Sequence, residues 1–189
     1  ALRKRLGYGE HPLVVAAIGG TAIGRQLLEL CGTAFVEARA RVPSLQMVLV
    51  AGPRLATGSL RLPAGVEVRS FVPCLYEHFA ASDLAIVQGG ATSTMELTAV
   101  RRPFLYFPLE GHSEQAGVAR ILTRRGAGVE MRYSTTTPSV LAERMVAMLG
   151  TEVNWPPIPT DGAERAADLI VELLGRSSDA NAAGAGDRQ

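Results

Sequence analysis

The chain holds 189 residues, 47% of them hydrophobic and 20% charged, enough for one domain with a sizeable core. With 19 Lys and Arg against 18 Asp and Glu the net charge is +1, which excludes a broad basic face for nucleic acid. The clusters Arg3-Lys4-Arg5, Arg101-Arg102 and Arg124-Arg125 fall in or beside expected loops and helix ends and read as solvated surface.

Leu13–Ile18 is a continuous apolar run, the pattern of a strand buried on both faces. Gly19-Gly20-Thr21-Ala22-Ile23-Gly24 then turns the chain. Leu27, Leu30, Cys31, Ala34, Phe35 and Ala38 recur at steps of three and four, which predicts an amphipathic helix. Leu45–Val50 is the next strand, ended by Gly52-Pro53, and Val66–Phe71 is a short one. Pro73 opens a helix through Ala81, and Leu84–Val87 is again a buried strand. Gln88-Gly89-Gly90-Ala91-Thr92-Ser93-Thr94-Met95-Glu96 follows it as tight turn and helix start, with Thr92–Val100 helical. Pro103–Phe107 reads as a strand, Glu114–Arg125 as a helix stopped at Gly126, and Val129–Met131 as a last short strand. Pro138 marks a helix start with Leu141, Met145 and Met148 on its apolar stripe. Trp155-Pro156-Pro157-Ile158-Pro159 is a rigid connector to a final helix, Ala163–Leu174, with Ala166, Leu169, Ile170 and Leu173 expected to face inward. Alternating strands and helices with right-handed crossovers predict an α/β fold with a doubly wound, mostly parallel sheet.

Cys31 and Cys74 form no CxxC pair and are expected to be two buried thiols in a reducing compartment. His11, His78 and His112 are too scattered to suggest a metal site by spacing. No apolar run reaches the length of a membrane span, and no secretory signal is visible. The opening at Ala1 suggests an excerpt, with residues 1–12 as a linker from a preceding domain and 13–175 as the folded domain. Residues 176–189 are rich in Ser, Asp, Asn, Ala and Gly and are expected to be disordered.

Both glycine turns follow strands, where ligands of such sheets sit. The first is neither a dinucleotide fingerprint nor a P-loop. Thr21 stands at the middle-glycine position, no acid follows the second strand, and Arg25-Gln26 replace the lysine and hydroxyl after Gly24. It can point N–H groups at an anion, or it can be a packing turn. The second turn admits two readings. Ser93-x-x-Glu96 has capping-box spacing, which explains both residues without a ligand. Alternatively, Gly89-Gly90 admits a diphosphate close to the backbone, the hydroxyls hold it, and Glu96 accepts from a ribose.

Over 13–175 the chain resembles the C-terminal, donor-binding domain of a GT-B-fold glycosyltransferase, and is similar to the UDP-GlcNAc transferase family that completes lipid II in peptidoglycan synthesis. The resemblance is most specific over Ser82–Gln115, in Ser-Asp-Leu-Ala-Ile-Val-Gln-Gly-Gly-Ala-Thr-Ser-Thr-Met-Glu-Leu, Arg-Pro-Phe-Leu-Tyr-Phe-Pro and His-Ser-Glu-Gln. It implies the Rossmann-like half of a GT-B fold. It places the base at Phe71 and Val72, the diphosphate at Gly90, Thr92 and Ser93, the ribose at Glu96, and the donor sugar at Glu114 and Gln115. Gly20 and Thr21 match a first glycine loop that reaches the donor phosphates or lies close to the acceptor. For Phe71 the alternative is a strand end packed into the core, and for Glu114 and Gln115 an ordinary polar helix start. Two positions depart from the family. Plant-type relatives carry His where Gln88 stands, and the lipid II enzyme has a second Gln where Ala116 stands, which leaves the sugar open. For His112, in a loop, two readings stay open, a contact to the donor and an incidental loop histidine.

The resemblance implies inverting, metal-independent transfer of a GlcNAc-like sugar from a UDP-sugar donor to an acceptor hydroxyl, with no cofactor and no nucleic acid partner. No Asp-x-Asp, the usual mark of a metal-assisted GT-A enzyme, is present. The catalytic base is unknown, expected in an N-terminal domain outside this sequence, so the chain alone is expected to bind donor and not to turn over. The acceptor is open, a lipid-linked one among the options. The implied location is cytoplasmic, reaching the inner membrane face through the missing half. A large missing interface should leave an apolar patch on the carboxyl side of the sheet, Trp155 included. Three alternatives stay open: a stand-alone UDP-GlcNAc-binding subunit of a two-chain transferase, a UDP-GlcNAc 2-epimerase domain, and a non-catalytic nucleotide-binding regulator.

Overall fold

The computed structural model describes residues 1–19 and 22–184. It divides into two compact units, Ala1–Pro157 and Ile158–Gln189. In the first unit the strands are β1 (Leu13–Ala17), β2 (Gln46–Val50), β3 (Glu67–Arg69), β4 (Leu84–Gln88), β5 (Phe104–Phe107) and β6 (Val129–Glu130). The helices are α1 (Leu2–Arg5), α2 (Arg25–Arg41), α3 (Leu75–Ala81), α4 (Ala91–Ala99), α5 (Ser113–Arg125) and α6 (Pro138–Met148). One six-stranded sheet results, ordered β3-β2-β1-β4-β5-β6, with every pairing parallel.

Period-two alternation divides the strands between two cores. Val14, Ala16, Met47, Leu49, Ile86 and Leu105 face α2 and α6, where Leu27, Leu28, Phe35, Leu141 and Met145 cover them. Leu13, Val15, Val48, Ala85, Val87, Phe104 and Tyr106 face the other way, against Phe79 of α3, Leu97 of α4, and Val118 and Leu122 of α5. All of β1 is buried, as expected for a central parallel strand covered on both faces. Helix ends follow local chemistry. Gly126 closes α5 in the left-handed conformation at φ 64, and the Thr137 side chain accepts from the Val140 N–H with Pro138 opening α6.

The start of β1 is pinned to the start of β4. The Asp83 N–H donates to the Leu13 carbonyl at 2.8 Å, and Asp83 Oδ2 accepts from the Leu13 N–H at 2.7 Å. Arg3 pairs with the same carboxylate at 2.5 Å and donates through Nε to the Ala81 carbonyl at 2.7 Å. α1, unforeseen in the sequence, presents that arginine.

Three sequence expectations are corrected. Cys31 is buried, its thiol pushed up by desolvation, but Cys74 is exposed at the head of α3. Trp155 is only 7% exposed and belongs to the core, edge-on to Phe104 at 5.9 Å, with its indole N–H donating to the Thr98 carbonyl at 3.1 Å. The carbonyls near the end of a helix lack partners within it, and the indole supplies one. Arg101, at φ 53, adds its guanidinium to the Val153 and Trp155 carbonyls. In the second unit, α7 (Gly162–Gly184) leaves Ala166, Leu169, Ile170 and Leu173 exposed, because no second helix or strand is described within that unit to cover them. Its backbone is helical to Gly184. Residues 185–189, in the stretch expected to be disordered, lie outside the described residues. Among the described residues no helix is long and apolar enough to cross a membrane.

Asp83→Ala should cost about 1–3 kcal/mol, the range for orphaning partly buried hydrogen-bond partners. A urea midpoint that falls at unchanged slope is the expected result; an unchanged midpoint means the pin carries no stability.

Candidate nucleotide-binding site

The sheet order reverses between β1 and β4, and the ligand position of a doubly wound sheet is the crevice beyond the carboxyl ends at such a point. Both glycine turns lie there. Gly20 and Thr21, expected at the phosphates, lie outside the described residues. Gly24 is a packing residue: a Cβ there would stand 2.2 Å from Ile18 Cγ2.

The two glycines after β4 do different work. A Cβ on Gly89 would meet Pro108 Cα at 2.8 Å, so Gly89 lets the ends of β4 and β5 touch, and its N–H donates to the Phe107 carbonyl at 3.1 Å. Gly90 faces open space and is the N-cap of α4, with no side chain bonding the first turn. Thr94 turns its hydroxyl back onto the Gly90 and Ala91 carbonyls at 2.9 and 3.2 Å. The hydroxyls of Thr92 and Ser93 make no hydrogen bond, and both residues reach the surface. The first N–H groups of α4 therefore remain open beside two free hydroxyls, at the end of the helix that attracts negative charge.

The start of α4 removes the capping reading of Ser93 and Glu96. A capping box needs Ser93 as the N-cap. The helix starts earlier, at Ala91, so Ser93 is its third residue and cannot cap. The Glu96 carboxylate makes no hydrogen bond or ion pair and is half-buried, and desolvation pushes its carboxyl above the ordinary range. It stands three and four residues from Ser93 and Thr92, hence on the same face of α4. The structure thus retains a desolvated carboxylate one turn along from open donors.

At the β3 margin Phe71 is 68% exposed, which overturns the core-packing alternative, while Val72 is buried. Past β5, Glu114 is exposed and unpaired in the first turn of α5. Gln115 is buried, and its Oε1 accepts from the Leu109 N–H at 2.7 Å, tying the β5–α5 connection to the helix. That bond was not legible in the sequence, where Gln115 figured as a sugar contact or an ordinary polar helix start. Gln88 is buried as well, facing Tyr133, whose hydroxyl burial pushes up to about 12. The Gln88 amide nitrogen and the Tyr133 hydroxyl are enclosed without partners, and turning the amide over gives the hydroxyl an acceptor.

A cavity of about 1090 Å³ lies beyond the start of α5, walled by residues such as His112, Arg120, Arg132 and Tyr133. None of Phe71, Gly90, Ser93 and Glu96 lines it. Volume does not mark the site here. The open helix donors and the unpaired carboxylate of α4 are not among the cavity's walls. Ile23 and Phe71 are exposed apolar residues on this carboxyl side. Among the described residues no group of three His, Cys, Asp or Glu is placed to hold a metal ion.

The sheet order defines a Rossmann-like α/β domain. The Glycosyltransferase family 28 C-terminal domain model matches residues 14–170, and the chain belongs to that family. An uncharacterized glycosyltransferase of Methanosarcina acetivorans is 34% identical over 136 residues, 71% of this chain and 34% of that protein. The UDP-N-acetylglucosamine--N-acetylmuramyl-(pentapeptide) pyrophosphoryl-undecaprenol N-acetylglucosamine transferase of Symbiobacterium thermophilum is 29% identical over 188 residues, 96% of this chain and 46% of that protein. The calicheamicin glycosyltransferase CalG4, a solved structure, shares the fold at TM-score 0.65 and 21% identity, covering 89% of this chain and 44% of that one. The chain thus spans between a third and a half of the relatives it matches.

The adjacent glycines should separate on substitution. Gly90→Ala, at φ −70 with open space around it, should change stability by less than about 0.5 kcal/mol and yet weaken nucleotide binding. Gly89→Ala should cost about 1–3 kcal/mol by pushing on Pro108. Chemical unfolding of both variants, with UDP titration of the folded ones, checks the contrast.

Proposed function

We propose that this domain binds the UDP-sugar donor of an inverting, metal-independent glycosyltransferase that moves a GlcNAc-like sugar to an acceptor hydroxyl. The observation that carries the reading is Glu96, a half-buried carboxylate without a protein partner beside the open start of α4. An ionised side chain is not left desolvated without cause, and two ribose hydroxyls are the donors it lacks. The name of the Symbiobacterium relative supports UDP-GlcNAc as donor.

On this reading the nucleotide lies along the carboxyl edge of the sheet. Phe71 and the Val72 backbone take the base, Glu96 the ribose, and the first-turn N–H groups of α4 with Thr92 and Ser93 the diphosphate. Gly20 and Thr21 approach the phosphates from the β1 side. Glu114 accepts from sugar hydroxyls, and Gln115 holds the loop that presents it, its amide N–H₂ left for the sugar. Sugar transfer leaves charge on the departing diphosphate. Preorganised N–H donors at a helix start offset that charge and contribute several kcal/mol to the transition state. Inversion also needs a base on the acceptor hydroxyl. That base comes from the rest of the protein, as does the acceptor site, and a lipid-linked acceptor at the inner membrane face fits the Symbiobacterium relative's name.

Calorimetric titration with UDP, UDP-GlcNAc, UDP-glucose, dTDP and NAD should show preference for the UDP species. Glu96→Gln should weaken UDP binding about 10-fold or more, the worth of hydrogen bonds to a charged acceptor. Stability should move the other way. Because the folded state raises the Glu96 pKa, it holds a proton more tightly than the unfolded chain, so ionisation destabilises the fold as pH rises from the ordinary carboxylate range. At pH 7 the Gln variant should melt at the same temperature or slightly higher. A variant that melts lower and keeps its UDP affinity overturns the proposal.

A further inference from the structure

Tyr8 and His78 are separated by 70 positions in sequence and meet in the folded chain, where the Tyr8 hydroxyl lies 2.6 Å from His78 Nδ1. Their rings contact edge-to-face at 5.6 Å. Arg69, the last residue of β3, covers the Tyr8 ring at 5.1 Å and donates through Nη1 to the Tyr8 oxygen at 3.3 Å. With that oxygen accepting from Arg69, the Tyr8 proton is directed to Nδ1. The imidazole N–H is then left on Nε2. His78 is 3% exposed, and both burial and the Arg69 charge favour the neutral ring this arrangement needs. The other charged groups around it are Glu67, paired with Arg69 at 2.6 Å, and Glu77, paired with Arg5 at 3.0 Å.

The chain from Arg69 to the first turn of α3 is thus tied to Tyr8 on both sides, by Arg69 before the arc and by His78 of α3 after it. That arc contains Phe71, exposed, and Val72, buried, and it runs directly into Cys74, a non-glycine residue in the left-handed conformation at φ 49. Such a conformation is unfavourable for a residue with a Cβ and persists where its surroundings over-determine it. We propose that Tyr8 and His78 are positioning residues for nucleobase recognition, fixing the Ser70–Cys74 arc so that the Phe71 side chain and the Val72 backbone meet the base in one geometry. The proposal rests on the donor-site reading above, and it concerns selectivity between bases rather than affinity in general.

The test is the ratio of dissociation constants for UDP and ADP, which share ribose and diphosphate and differ in the base. Tyr8→Phe removes only the hydroxyl. His78→Phe removes the ring nitrogens, and His78→Asn keeps a polar group near the position of Nδ1. The expected result is a wild type that prefers UDP, a loss of about fivefold or more in UDP affinity for Tyr8→Phe and His78→Phe with ADP nearly unchanged, and recovery of most of the preference in His78→Asn. If UDP and ADP weaken by the same factor, the pair is merely structural and the proposal fails. If the variants keep the wild-type preference, it also fails while the donor-site reading stands. A wild type without preference for UDP removes the donor-site reading and this proposal together.

Discussion

The parallel pairing of β1 with β4 is the contact on which the rest of the molecule depends. It joins residues remote in sequence, Val14 with Leu84 through Ala17 with Val87. It also fixes where the sheet reverses direction of growth. Both strands are buried on both faces, so their register is set by packing as well as by the ladder. Asp83 adds a polar stop at their beginning, accepting from the Leu13 N–H while Arg3 neutralises it. With that register fixed, the turns after β1 and β4 open side by side at one edge of the sheet.

At that edge the fold leaves polar groups unsatisfied that it satisfies elsewhere. Thr94 and Thr98 return their hydroxyls to backbone carbonyls, and Trp155 serves the Thr98 carbonyl at the far end of α4. The start of the same helix has no cap, and Glu96 has no partner. The two ends of one helix are thus finished differently, with a side-chain partner at the far end and none at the start. Gly89 and Gln115 are the framework of this opening. One lets two strand ends touch, and the other ties a loop to its helix.

Much of the fold was legible in the sequence because buried parallel strands read as unbroken apolar runs, and Gly126 and Pro138 mark helix boundaries by backbone chemistry alone. The candidate site was legible as a glycine turn after a buried strand, and the geometry of its helix start was not. Ser93 and Glu96 have capping spacing, and only the actual start of α4 at Ala91 shows that they do not cap. Trp155 looked like surface because the partner of its indole is a carbonyl 57 residues away. The Tyr8–His78 contact has no local signal at all, since neither residue belongs to a motif and the fold alone brings them together. Cys74 was misread because heading a helix does not say which way a side chain in the left-handed conformation points.

The outer strands of the sheet are its shortest, three residues in β3 and two in β6. An unpaired strand edge is a template on which other chains can grow by β-addition. Margins this brief offer too few free amides for a foreign strand to dock cooperatively, and the charged Glu67 and Arg69 flank one of them. The domain therefore carries its own guard against fibril-like stacking, and crowding gives it no edge along which to polymerise.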